Sequence, residues 1–219
     1  MLRATWKEIM LTPKFELGTS KGPITSRTVW YLIAWDSERP EVKGIGEAAL
    51  FPGHSKEFPA DVRTKLFELC ADTSDWSQRL NGDLKYVPSV CFAVEQCLKD
   101  LGASGSKVLF PSTFTLGKQG IPINGLVWMG DKSTMKERIR DRIDAGFTTV
   151  KMKIGAIGIE DELALLKSVR GEFSAKDIIL RVDANGAFDA RTAPEVLKRL
   201  AELDVESIEQ PVPPGLYEV

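Results

Sequence analysis

Thr148-Thr149-Val150-Lys151-Met152-Lys153-Ile154-Gly155 is a short run, rich in β-branched residues, that carries two lysines two positions apart. Side chains along a strand alternate between faces, so both ammonium groups leave on one side while Val150, Met152 and Ile154 leave on the other. Two like charges on one face of a buried strand are costly, and they call for something anionic opposite: a substrate carboxylate, or carboxylates around a metal. Two strand-like runs downstream end in acids, Ile178-Ile179-Leu180-Arg181-Val182-Asp183 and Val205-Glu206-Ser207-Ile208-Glu209.

Outward from these runs the pattern alternates. Residues 122–128 read as a strand, 131–145 as a helix closed by Gly146, 149–154 as a strand and 160–172 as a helix. A strand at 178–183, a helix at 191–203 and a strand at 205–209 complete a β-α-β-α-β-α-β series, the mark of a parallel sheet with helices packed on it. By subtraction, Lys153 and Asp183 are 30 residues apart and Asp183 and Glu209 are 26, one strand-helix unit each. Either a doubly wound sheet or a TIM barrel begins this way. Lys151, Lys153, Arg181 and Asp183 alternate along neighbouring strands, with Asp183 and Glu209 at the C-terminal ends, which favours a barrel with its chemistry at that rim.

Towards the N-terminus the grammar changes. Runs at 4–14, 27–36 and 44–49 read as an antiparallel meander, the Gly-, Ser-, Thr- and Pro-rich stretch 16–23 as a mobile loop, and 61–71 and 88–101 as helices. On the second helix Val90, Val94, Cys97, Leu98 and Leu101 share a face, so Cys97 is a core residue. Residues 103–120 lack a regular pattern and read as a connection between domains. The expected fold is therefore α/β with an α+β N-terminal domain over 1–115, followed over 116–219 by the first half of a (β/α) TIM-type barrel. Gly44-Ile45-Gly46-Glu47-Ala48-Ala49 matches the dinucleotide fingerprint superficially. Pro52 and Gly53 stop any helix behind it, and Glu47 puts negative charge where a pyrophosphate needs N–H groups. His54, the only histidine, lies in a loop with no ligand pattern around it and reads as solvated.

The 219 residues, 43% hydrophobic and 27% charged, suffice for a substantial core. A formal net charge of −2, with acids and bases interleaved, argues against nucleic acid or an anionic membrane surface as partner. The longest apolar run, 29–35, is far shorter than the about 18 residues of a membrane span, so no membrane is expected either. Cys70, Cys91 and Cys97 form no CxxC and are odd in number, which fits free thiols in a reducing compartment; with no signal peptide in the first residues, cytoplasm is expected. The expected partner is a small molecule.

Asp183 and Glu209, from consecutive strand ends, offer hard oxygen ligands suited to Mg²⁺ or Mn²⁺ rather than zinc. A lysine crowded by a second lysine and a divalent cation has its charged form disfavoured, so Lys153 is expected to act as a base that removes a proton α to a carboxylate while the cation neutralises the enediolate. The plain alternative is a set of salt bridges at the end of a barrel.

Lys151-Met152-Lys153, Asp183-Ala184-Asn185 and Glu209-Gln210-Pro211, in that order and spacing, resemble the enolase superfamily, specifically its muconate-lactonizing subgroup. That superfamily is the established case of a Lys or His base paired with Mg²⁺. Longer runs, Phe110-Pro111-Ser112, 121–130, 151–156 and 180–188, are similar to the subgroup's o-succinylbenzoate synthase family of the menaquinone pathway. The resemblance implies a capping domain before a modified TIM barrel. It implies Lys153 as the base, and then the acid that helps hydroxide depart, and Lys151 as holder of the substrate carboxylate. Asp183 and Glu209 would be the Mg²⁺ ligands, Asn185 and Arg181 supports of metal and substrate, and Thr19 and Ser20 part of a loop that closes over the substrate. The family also has a third metal-binding carboxylate and a second catalytic lysine on later strands, whereas this sequence ends at Val219, just after the fourth strand. The expectation is a truncated chain, inactive and poorly stable by itself because its last strand exposes an unpaired edge. A dipeptide epimerase or cycloisomerase of the same superfamily, or a non-catalytic fragment, are the alternatives.

Overall fold

The lysine-bearing run forms a parallel strand in the second of two units, Met1–Gly120 and Ile121–Val219, into which the chain divides. The structure, a computed structural model, describes residues 1–14, 17–19, 22–51, 53–128, 130–216 and 218, with the backbone path alone for 17–19, 22 and 23.

In the first unit, β1 (Leu2–Leu11), β4 (Arg27–Asp36) and β5 (Arg39–Ala49) form an antiparallel sheet in the order β1-β4-β5, and β2 (Leu17–Thr19) pairs with β3 (Gly22–Ile24). Pro13 lacks the N–H a ladder needs, and β1 stops short of it, with Leu11 opposite Arg27. The strand expected at 44–49 begins five residues earlier, at Arg39, because a tight turn brings Arg39 back opposite Asp36.

Two long helices, α1 (Pro59–Ala71) and α3 (Pro88–Gly102), each start with proline, whose fixed φ suits the first turn. Between them lie α2 (Trp76–Asn81) and a 3-10 turn (Asp83–Tyr86), both too short to show a period in sequence. The α3 stripe Val90, Ala93, Val94 and Cys97 is fully buried with Trp30, Leu32, Val62 and Leu66. The glycines that mimic a nucleotide loop serve this packing: a Cβ on Gly46 would lie 1.8 Å from the Ala93 carbonyl oxygen, so only glycine lets α3 approach β5.

In the second unit, β6 (Gly125–Val127), β7 (Thr149–Lys153), β8 (Ile179–Asp183) and β9 (Val205–Glu209) pair in parallel in sequential order. They are linked by α4 (Lys132–Asp144), α5 (Ile159–Glu172) and α6 (Ala193–Ala201). A doubly wound sheet reverses its strand order at a switch point. Here the order runs on without reversal, so the unit is a partial (β/α) TIM-type barrel, and the chain is α/β with an α+β N-terminal unit. Asp131 caps α4 by accepting the Thr134 N–H at 2.9 Å.

Val150, Met152, Leu180 and Val182 bury one face of the sheet against Met135, Ile139, Leu166, Val169, Val196 and Leu200 from the helices. Each fully buried aliphatic side chain contributes about 1.5–3 kcal/mol of transfer free energy. Alternation then sends Lys151, Lys153, Arg181 and Asp183 to the opposite face. On β9 the apolar residues, Val205 and Ile208, are three apart, which a regular strand would place on opposite faces. The register shifts between Leu180 and Arg181, leaving Glu206 as an extra residue, and this bulge lets both pack on the helix-side core. None of the described helices is long and apolar enough to cross a membrane.

Candidate active site

Register assembles the site. Lys153, Asp183 and Glu209 are direct neighbours across β7, β8 and β9, at the C-terminal end of each strand. Two residues earlier, Leu126, Lys151, Arg181 and Ser207 form the row beneath.

Lys153 Nζ donates to Asp183 Oδ2 at 2.5 Å and to Asn185 Oδ1 at 2.8 Å. Lys151 reaches up from the lower row, donating to Glu209 Oε2 and lying 3.5 Å from Asp183 Oδ2. The lysine side chains are 23% and 18% exposed, Glu209 is 59% exposed, and Asp183 only 2%. Burial pushes the Asp183 carboxyl up. The Lys153 hydrogen bond, the Asn185 backbone N–H at 3.1 Å and the two ammonium charges outweigh it, so the net shift is below the usual carboxylate range.

The carboxylate pairing also alters the expectation of two lysines repelling across a face. The Glu209 hydrogen bond, against some desolvation, holds the Lys151 ammonium above its ordinary range instead. The rim backbone bends sharply to make these contacts. Asn185 has φ 48°, a left-handed conformation that asparagine tolerates, and it turns its N–H and its side-chain oxygen towards Asp183 and Lys153 respectively.

Of the residues singled out by sequence, Lys151, Lys153, Asp183, Asn185 and Glu209 thus come together. Arg181 stands apart in the lower row, where its Nε donates to Glu206 Oε2 at 2.5 Å. Thr19 lies on β2, with its side chain outside the described residues, and Ser20 is outside them altogether.

Two residues escaped the sequence reading. Glu206 is the bulge residue, visible only once the register is known. Glu162, on α5, is 1% exposed and accepts the Gly155, Ala156 and Ile157 N–H groups. Its signal was present: it shares a helical stripe with Leu165, Leu166 and Val169, and an acid on an apolar stripe needs a reason.

Asp183 and Glu209 fit a divalent cation by two observations. Their donor set is all oxygen, and each carboxylate already pairs with a lysine ammonium, so each is placed to compensate a positive charge. Among the described residues no group of three or more His, Cys, Asp or Glu side chains gathers as a metal cage.

Residues 134–218 match the family described as enolase C-terminal domain-like. The chain is 34% identical to an o-succinylbenzoate synthase of Desulfotalea psychrophila, over 89% of the chain and 61% of that relative. It is 26% identical to a hydrophobic dipeptide epimerase of Roseobacter litoralis, over 98% of the chain and 63% of that protein. Among solved structures, MenC from Desulfotalea psychrophila superposes with a TM-score of 0.70 at 31% identity, covering 96% of this chain and 64% of that one. The o-succinylbenzoate synthase of Thermosynechococcus elongatus, crystallised with magnesium in its active site, has the same fold, with a TM-score of 0.73 at 23% identity over 98% of this chain and 63% of that one. Fold and similarity together liken the chain to the enolase superfamily, whose C-terminal domain-like family its residues 134–218 match. Within it the chain resembles the o-succinylbenzoate synthases, and it spans about 61% of the length of the curated relative just described.

Proposed function

We propose that the protein carrying this sequence is a Mg²⁺-dependent lyase that dehydrates the succinyl-hydroxycyclohexadiene-carboxylate precursor to o-succinylbenzoate in menaquinone biosynthesis. The observation that carries the reading is the rim row Lys153–Asp183–Glu209, with Lys151 beneath it, in a chain 34% identical to a synthase of that activity.

In this reading the Lys153 amine, in its neutral form, takes the proton α to the substrate carboxylate. The resulting ammonium returns that proton to the hydroxyl leaving from the neighbouring carbon, which departs as water while the new double bond completes the aromatic ring. Lys151, held cationic, pairs with the substrate carboxylate and fixes the α-carbon over Lys153. Asp183 and Glu209 hold Mg²⁺, with Mn²⁺ as a substitute, and the cation when bound supplies positive charge against the charge that builds on the substrate carboxylate. Asn185 keeps Lys153 oriented and Arg181 supports the row beneath. The all-oxygen donor set supports magnesium, which the Thermosynechococcus structure contains. Three free thiols fit a cytoplasmic protein.

A second reading, dipeptide epimerisation, uses the same base and carboxylates, and rests on the similarity to the Roseobacter epimerase over nearly the whole chain. Offering the complete protein the cyclohexadiene precursor and a panel of dipeptides, with Mg²⁺ and with chelator, separates them. Release of o-succinylbenzoate supports the first reading; exchange of the dipeptide α-proton without water loss replaces it by the second.

A further inference from the structure

Past their last paired residues, β7, β8 and β9 stay joined unevenly. Between the ends of β8 and β9, the N–H groups of Ala184, Gly186 and Phe188 donate to the carbonyls of Glu209, Gln210 and Pro211 at 3.0, 2.7 and 3.1 Å. Between the ends of β7 and β8, the last such bond among the described residues runs from Ile154 N–H to the Asp183 carbonyl at 2.9 Å. The chain then turns at Gly155, with φ 90°, so close to the neighbouring turn that a Cβ there would lie 2.3 Å from Ala187 Cβ. That neighbouring turn contains Asn185, a partner of Lys153.

The next three N–H groups would be orphans, and one atom takes them all. Glu162 Oε1 accepts from Gly155 at 2.7 Å, Ala156 at 3.2 Å and Ile157 at 3.3 Å. Its other oxygen, Oε2, is buried with no hydrogen-bond partner. An unpartnered carboxylate oxygen is an expensive feature, and an apolar residue would suit the stripe better if packing were the only demand. The carboxylate does for the β7 loop what backbone pairing does for the β8 loop.

We infer that Glu162 is a positioning residue: by clamping the Gly155–Ile157 loop against the Ala184–Ala187 turn, it sets where the Lys153 ammonium stands relative to Asp183 and Asn185. This rests on the proposed role of Lys153 only for its consequence in catalysis; the placement itself is independent of the reaction.

The test uses the full chain and three variants, Glu162→Ala, Glu162→Asp and Glu162→Gln, each checked for folding by circular dichroism. Lys153 is acylated with acetic anhydride and its labelling read by peptide mass spectrometry against Lys198, an exposed lysine on α6. Amide exchange is read at Gly155, Ala156 and Ile157. In the alanine variant those amides exchange about tenfold faster and the Lys153-to-Lys198 labelling ratio shifts about threefold or more, because the shell that supports the lysine is gone. The glutamine variant, which keeps an acceptor of the same reach, restores both to within about twofold of the parent. Should the alanine variant not fold, the aspartate variant takes its place, its carboxylate being one methylene too short for the loop. An unchanged labelling ratio in the folded variant overturns the inference, and so does a glutamine variant as disturbed as the alanine one. No readout needs turnover, so failure of the proposed reaction leaves this test standing, and a turnover-competent protein whose Lys153 ignores Glu162 refutes this inference alone.

Discussion

Two clusters of two cations and two acids sit in this chain, one in each unit. In the first, Lys65 and Arg79 each bridge Glu68 and Asp83 at 2.8–3.0 Å, and the acids are 41% and 42% exposed. In the second, Lys151 bridges Asp183 and Glu209 while Lys153 pairs with Asp183, and Asp183 is 2% exposed. The formal charges are the same and the physical meaning differs. The first cluster spans 65–83, joins groups within and between neighbouring helical turns, and leaves both of its carboxylates well exposed, where such pairs contribute little and are screened. The second is gathered from three strands and takes a carboxylate almost out of water, which costs more than surface pairing returns. A chain selected for stability alone would do as well with apolar residues there, so the second cluster points to chemistry.

The sharpest way to break this contrast is Lys153→Ala in the complete protein, assayed by formation of o-succinylbenzoate. Loss of a general base should lower kcat about 10³-fold with the circular dichroism spectrum unchanged. Turnover within tenfold of the parent would make the rim cluster as inert as the helical one. Next in size is magnesium itself. A ligand present at about 100 times its Kd raises stability by about 2.7 kcal/mol, so thermal melts should rise with Mg²⁺ in the parent and stay flat for Asp183→Ala, while Asp83→Ala leaves the Mg²⁺ response intact. A shift of equal size in all three proteins would detach the metal from this site.

Acid should act on both clusters in the same direction. Asp183, Glu68 and Asp83 all have folded pKa values below the ordinary range, Glu68 chiefly through Lys65 and Asp83 chiefly through Arg79. Their stabilisation is therefore complete above the unfolded carboxylate value of about 4 and is lost as pH falls through the lower folded values. Urea melts at pH 7 and pH 3 should show the loss. Repeating them in 1 M NaCl should weaken the helical cluster's share and leave the rim's largely intact, because buried pairs are poorly screened. The smallest expected effect is Asp83→Asn, about 0.5 kcal/mol at low salt by urea denaturation, since its own carboxylate is well exposed. A cost several times larger would show that exposure is a poor guide to which cluster matters.

The two units were unequally legible. In the second, β7 and β8 could be read closely because their alternation is regular and one face is uniformly apolar; Lys151, Lys153 and Asp183 stand out against Val150, Met152 and Val182. The β9 strand was placed correctly while its bulge at Glu206 was invisible, because the three-residue spacing of Val205 and Ile208 has no meaning until Arg181 is seen opposite Ser207. In the first unit, α2 and the 3-10 turn escaped because four to six residues carry no period. Gly44 and Gly46 could be denied a phosphate-binding role from their neighbours, whereas their actual task, admitting α3, depends on a helix some fifty residues later in the chain.

The sequence by itself determined the alternation of strands and helices, the pair of lysines on one face and the acids at the strand ends, because these follow from periods of 2.0 and 3.6 residues that any local reading detects. Only the tertiary structure decided which acid faces which lysine, that Asp183 is buried while Glu209 is open, and that Glu162 turns back to hold the loop behind Lys153. Those outcomes depend on strand register and on approach between segments 26 to 58 residues apart, or, for Glu162, on the path of a loop that no periodicity encodes.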